Sequence, residues 1–144
     1  MNGDELEGYR QFQIEGDSYL KVGRNARNRP GVFTPEIRFN VLSMSIEKHC
    51  MAVLMQAGML PENHTFHDLT RSLDLVAPLE PETVAFLHRM DTVADICSLS
   101  SNARSIPEEQ NLERLLAIAE SMRDLADALL GPVGADELLT APGV

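Results

Sequence analysis

Apolar residues along this chain recur every three to four positions, and no stretch sustains the apolar–polar alternation of a half-buried strand. A period near 3.6 places them on one face of a helix, and a helix with such a face buries it against another helix. Proline and glycine divide the pattern into helix-length pieces at Pro30-Gly31, Gly58 with Pro61, Pro78 with Pro81, and Gly131-Pro132. Proline breaks a helix because it has no amide donor; glycine does so because it enters backbone conformations other residues avoid.

A first helix is expected over roughly residues 4–24, with Leu6, Tyr9, Phe12, Tyr19 and Leu20 facing inward. Thr34 caps the second, with Pro35 at its first position and Glu36 in its first turn. This helix runs to about Ala57, and Gly58 suits the position just beyond. Thr65-Phe66-His67-Asp68 has the pattern of a capping box with Asp in place of Glu, which opens a third helix ending near Ala77. A fourth spans about 82–99, with Val84, Leu87, Val93 and Ile96 apolar. Ser105 and Glu108 give a second capping signal for a helix over about 107–130. Its stripe holds Leu112, Leu115, Leu116, Ala119, Met122, Ala126 and Leu129. The expected fold is all-α, an antiparallel up-and-down helical bundle of four to five helices over residues 1–131, with a loose tail over 132–144.

The second helix is apolar on more than one face. Ile37, Val41, Met44, Met51 and Met55 form one stripe, and Leu42, Ile46, Val53 and Leu54 widen it. Such a helix is central to its bundle or lies at a subunit interface; the second case would make a homodimer through helix 2 and its neighbours.

The length of 144 residues corresponds to one domain. The net charge of −10 is unevenly placed: residues 1–40 balance, and residues 41–144 carry the excess of acid. An acidic body repels phosphate backbones, which disfavours generic nucleic-acid binding. A basic cluster of Lys21, Arg24, Arg27, Arg29 and Arg38 stands out, and Arg27 and Arg29 are its candidates for holding a phosphate group. The longest apolar run, "MAVLM", is too short to span a bilayer, and the acidic N-terminus has no apolar signal core. A cytoplasmic protein with Cys50 and Cys97 as free thiols is expected.

Candidate chemistry concentrates in "SIEKHCMAVLMQAGMLPENHTFHDL", residues 45–69. His64 and His67 are three apart, and His49 or Cys50 is within reach if the third helix folds back on the second. No paired CxxC or HExxH accompanies them, so metal binding by His49, His64 and His67 ranks below a structural role, and no cofactor is expected. Cys50 and Cys97 fall in apolar helical stretches, where a thiol packs as a small hydrophobe.

The stretch "FNVLSMSIEKHCMAVLMQAGMLPENHTFHDLTRSL" resembles the second and third helices of HEPN-domain proteins. The matching residues are Glu47, Lys48, Ala52, Leu54, Gly58, Pro61, His67, Asp68 and Leu69, with His64 as a second register for the histidine. The resemblance covers about residues 36–130. It implies an all-α bundle, often dimeric, whose members include partners of nucleotidyltransferases in toxin–antitoxin systems. Other members cleave RNA with an Arg followed four to six residues later by His. No Arg here is followed by His at that spacing, and the loop after helix 4 keeps Arg104 without the Tyr of the family's "RYP" element. The resemblance therefore implies a non-catalytic binding module for a protein partner and a nucleotide or other phosphorylated ligand, with Lys48, Arg27, Arg29, His64 and His67 as ligand residues. The alternative is a degenerate ribonuclease or metal-dependent hydrolase using His49, His64, His67, Asp68 and Arg104.

Overall fold

The computed structural model describes the backbone of residues 3–99 and 107–139, and the side chains of residues 8–93 and 107–137. The helices are α1 (Gly3–Ala26), α2 (Pro35–Gln56), α3 (Phe66–Leu73), α4 (Pro81–Leu99), α5 (Glu109–Leu130) and α6 (Ala135–Leu139). The described residues contain no strand. The expectations for Leu6, Ile96, Cys97, Arg104, Ser105 and residues 140–144 lie outside the described residues or side chains.

α2 packs against α1, α3 and α5. Its greasiness is thereby answered inside the chain: Leu42, Ile46, Cys50, Val53 and Leu54 are all buried. The stripe of Ile37, Val41, Met44, Met51 and Met55 is the more open one, with Ile37 exposed, Val41, Met44 and Met55 half-buried, and Met51 buried. α1 runs antiparallel to α2, with Gly8 facing Met55, Gly16 facing His49 and Gly23 facing Leu42. It is also antiparallel to α5, since Arg24 reaches Glu120 and Arg27 reaches Glu113. Arg38 joins the starts of α2 and α5, so these two run the same way. α3 and α4 form a second antiparallel pair.

The inward face of α1 differs from the aromatic face expected. Its buried positions are Gln13, Gly16, Leu20, Gly23 and Ala26, while Phe12, Tyr9 and Tyr19 stay at the margin. The physical reason is close approach. A Cβ on Gly16 would lie 2.7 Å from His49 Cδ2, and one on Gly23 would lie 2.5 Å from Leu42 Cδ2. Small residues bring the backbones together, and larger side chains from α2 fill the space left.

The helix ends follow local chemistry. The Thr34 side chain accepts from the Ile37 amide, with Pro35 in the first turn, as the sequence predicts. At the other end, Gly58 has φ of 76°. The Met59 amide donates to Leu54 O at 2.8 Å and the Gly58 amide to Met55 O at 2.9 Å, the two bonds of a Schellman ending. α3 stops at Leu73 rather than near Ala77. Leu75 and Val76 are exposed, so no burial stabilises a further turn, and Pro78 disfavours a helical residue before it. α5 begins at Glu109 instead of 107, and Glu108 caps it without a side-chain bond.

Residues 131–137, where a loose tail is expected from 132, carry contacts to α1. The Arg10 guanidinium donates to Gly131 O at 3.0 Å, to Pro132 O at 2.7 Å and to both Glu137 carboxylate oxygens at 2.9 Å. No helix among the described residues is long and apolar enough to cross a membrane.

Candidate functional site

One side of α2 carries Asn40, Ser43, Met44 and Glu47, spaced as successive turns of one face. With Phe39 they form one wall of a groove of about 470 Å³. Asn63, His64 and Thr65 from the α2–α3 loop, Phe66 at the start of α3, and Asp91 of α4 complete it.

The far wall is held by hydrogen bonds to the first amides of α3. Asp91 accepts from the Phe66 and His67 amides, each at 2.8 Å, and Thr65 Oγ1 accepts from the Asp68 amide at 3.2 Å. Three amides at a helix start, which have no partner within the helix, are thus satisfied. Thr65 caps as the sequence predicts. The reciprocal bond of a capping box, in which Asp68 would accept from the Thr65 amide, is not formed; Asp91, 25 residues from Phe66, holds the next two amides instead. Asp68 instead bonds Asn63 and His67, which hold its carboxyl below the usual range.

Inside the groove, His64 Nδ1 lies 2.7 Å from Glu47 Oε1. The carboxylate can only accept, so Nδ1 carries the proton. Ser43 Oγ is buried and has no hydrogen-bond partner among the described residues. His64 is therefore not engaged as a base for Ser43, and no nucleophile–base pair is assembled here.

Glu47 and Lys48, adjacent in sequence and so about 100° apart on α2, meet different neighbours. Lys48 Nζ pairs with Glu15 on α1 at 3.2 Å and lies 4.9 Å from the centre of the Phe12 ring. Arg27 pairs with Glu113 on α5 at 3.2 Å, and Arg29 sits in the exposed α1–α2 loop. Lys48, Arg27, Arg29 and the two histidines are not gathered at one place.

The three histidines of the metal hypothesis also part company. His49 is fully buried against α1, with Nε2 2.7 Å from Asp17 Oδ1. His64 lines the groove, and His67 lies beside His88, ring centres 4.8 Å apart, at a separate cavity of about 300 Å³. That cavity also contains Thr70, whose hydroxyl donates to Phe66 O at 2.8 Å and so accepts from His88 Nε2 at 3.0 Å. Among the described residues, no group of three or more His, Cys, Asp or Glu side chains is placed to hold a metal ion. Burial raises the Cys50 thiol to about 12, with Glu47 adding to the shift, so it is a packing group and not a thiolate nucleophile at neutral pH.

Ser43 and Asp91 were not singled out in the sequence. The Asn40–Ser43–Glu47 spacing carried a signal, a polar stripe on an otherwise apolar helix. Asp91 carried none, because its role depends on where α4 meets the start of α3. Comparison with protein-family models, curated proteins and solved structures gives no match for this chain.

Proposed function

We propose that the chain is a non-catalytic helical binding module, HEPN-like in its up-and-down arrangement, that holds a segment of a protein partner in the α2 groove. The carrying observation is the groove itself: about 470 Å³, between α2, the α2–α3 loop, the start of α3 and Asp91 of α4, with polar side chains on both walls. Phe39, Met44 and Phe66 contribute apolar lining, and the rim residues Asn63, His64 and Thr65 are exposed. An apolar lining with a polar rim is the anatomy of a protein-binding patch.

The non-catalytic part draws on the unengaged Ser43 and the inert Cys50. The phosphorylated ligand draws no support from this groove, whose lining among the described residues has two carboxylates and no Lys or Arg. A nucleotidyltransferase-type protein is the partner class that the family resemblance implies. The homodimer it also implies has a direct test: light scattering should give about twice the 15.9 kDa of the chain.

The test of the groove is an amide NMR titration of isotope-labelled protein with short peptides of basic, neutral and acidic character. Signals from residues 40–47 and 63–66 should move with at least one of them. A panel that leaves all of these signals in place would remove the reading.

A further inference from the structure

We propose that Met55 and Met59 form a peroxide-oxidisable pair, and that their conversion to sulfoxides releases the C-terminal end of α2 from the core and from α1.

The first observation is access. Met51, Met90 and Met122 are buried, whereas Met44, Met55 and Met59 are half-buried and open to an oxidant in water. Met55 and Met59 line one cavity of about 110 Å³ together with Gly58 and Leu60, and Leu60 is exposed. Hydrogen peroxide is little larger than water, whose share of the liquid is about 30 Å³, so the cavity admits it beside both side chains.

The second observation is what the pair holds. Both side chains pack against the core cluster, and Met44 takes no part in that packing. Met55 Cε lies 3.1 Å from the position of a Cβ on Gly8, so its methyl sits directly on the backbone of α1. Met59 is the residue after the left-handed Gly58, and its amide closes the end of α2 on Leu54 O. In such an ending, an apolar side chain at this position folds back and holds the last turn. Met59 therefore locks the end of α2 with its amide and its side chain, and Met55 fastens the same end to α1.

The reaction is a two-electron oxygen transfer. A sulfur lone pair attacks one peroxide oxygen, the S–O bond forms as the O–O bond breaks, and the other oxygen leaves as water after the proton moves across. The thioether is oxidised and the peroxide reduced. The apolar side chain becomes a polar one with a strong acceptor oxygen. Returning that oxygen to an apolar contact without a donor is costly, so both side chains turn toward water and the lock opens. Methionine sulfoxide reductases reverse the change, which makes it a switch.

The experiment treats the full chain with hydrogen peroxide at neutral pH and follows peptide masses, amide exchange and melting temperature. Met55 and Met59 should oxidise about tenfold faster than Met51, Met90 and Met122. Exchange over residues 54–60 should accelerate with the oxidation, the melting temperature should fall by a few degrees, and a sulfoxide reductase should restore both. The double variant Met55→Leu, Met59→Leu keeps the apolar packing and should lose the response, although Met44 still oxidises. One common oxidation rate for all these methionines would overturn the proposal. Sulfoxides at Met55 and Met59 with unchanged exchange over residues 54–60 would overturn the switch in the wild-type chain, whatever the double variant does. A response that survives in the double variant and disappears in Met44→Leu would move it to the groove and overturn the assignment.

Discussion

His49 bonds Asp17 at 2.7 Å across the α1–α2 interface. The carboxylate accepts, so Nε2 carries the proton, while Nδ1 is buried with no partner among the described residues. The same ring fills the space above Gly16. An adjacent glycine, a buried imidazole and a carboxylate at the margin thus form one unit that sets how closely α1 approaches α2.

Gly16→Ala puts two effects in opposition. Alanine favours a helix over glycine by about 1 kcal/mol. The new Cβ would meet three ring atoms of His49 at 2.7–2.9 Å, and that ring is buried with no room to swing away. Overpacking of this kind costs about 1–3 kcal/mol. Urea denaturation should therefore show a net loss of up to about 2 kcal/mol. A stabilised variant would mean the ring yields freely.

Arg38 and Glu109 should respond asymmetrically. The Arg38 side chain is 10% exposed and that of Glu109 is 64% exposed, with bonds of 2.8 and 3.0 Å between them. Glu109→Ala strands a nearly buried guanidinium with Glu113 at 3.8 Å as its remaining carboxylate, costing about 1–3 kcal/mol. Arg38→Met keeps the packing of the stem and leaves an acid already in water, costing less than about 1 kcal/mol. Chemical denaturation of both variants checks the order, and a larger loss in Arg38→Met would refute the asymmetry.

The Arg10–Glu137 clasp should open in acid. The hydrogen bond from Arg10, then that from the Gly134 amide, holds the Glu137 carboxyl down at about 2, against an ordinary value of 4.5. A carboxyl depressed in the folded state stabilises it above the unfolded value, and the contribution is lost as pH falls through the folded value. The clasp is thus complete above about pH 4.5 and released toward pH 2. Amide exchange over residues 131–137, compared with α2, should accelerate in that window. Glu137→Gln should remove the pH dependence.

Cys50 should resist thiol reagents in the native protein. With its thiol raised to about 12 and its side chain buried, the thiolate population at pH 8 is negligible. Peptide mass analysis after treatment with a maleimide should find Cys50 unmodified, then labelled once urea unfolds the chain. Rapid native labelling would show that α2 opens locally.

The sequence by itself determined the class of fold and the punctuation of its helices. Thr34, Pro35, Gly58 and Thr65 act through neighbours three to five residues away, so their roles are written locally. The buried stripe of α5 from Leu112 to Ala126 is likewise legible from its period, while Leu129, expected in the same stripe, is exposed at the helix end. Tertiary structure alone decided what lies opposite each face. Nothing local says that Gly16 receives the ring of His49, that Asp91 caps α3, or that Lys48 meets Glu15 while Glu47 meets His64. Each of these pairings sets a side chain against a helix elsewhere in the chain. Hydrophobic burial fixes which faces turn inward, but it is non-directional, and only the packed helices select the polar partners that meet at their margins.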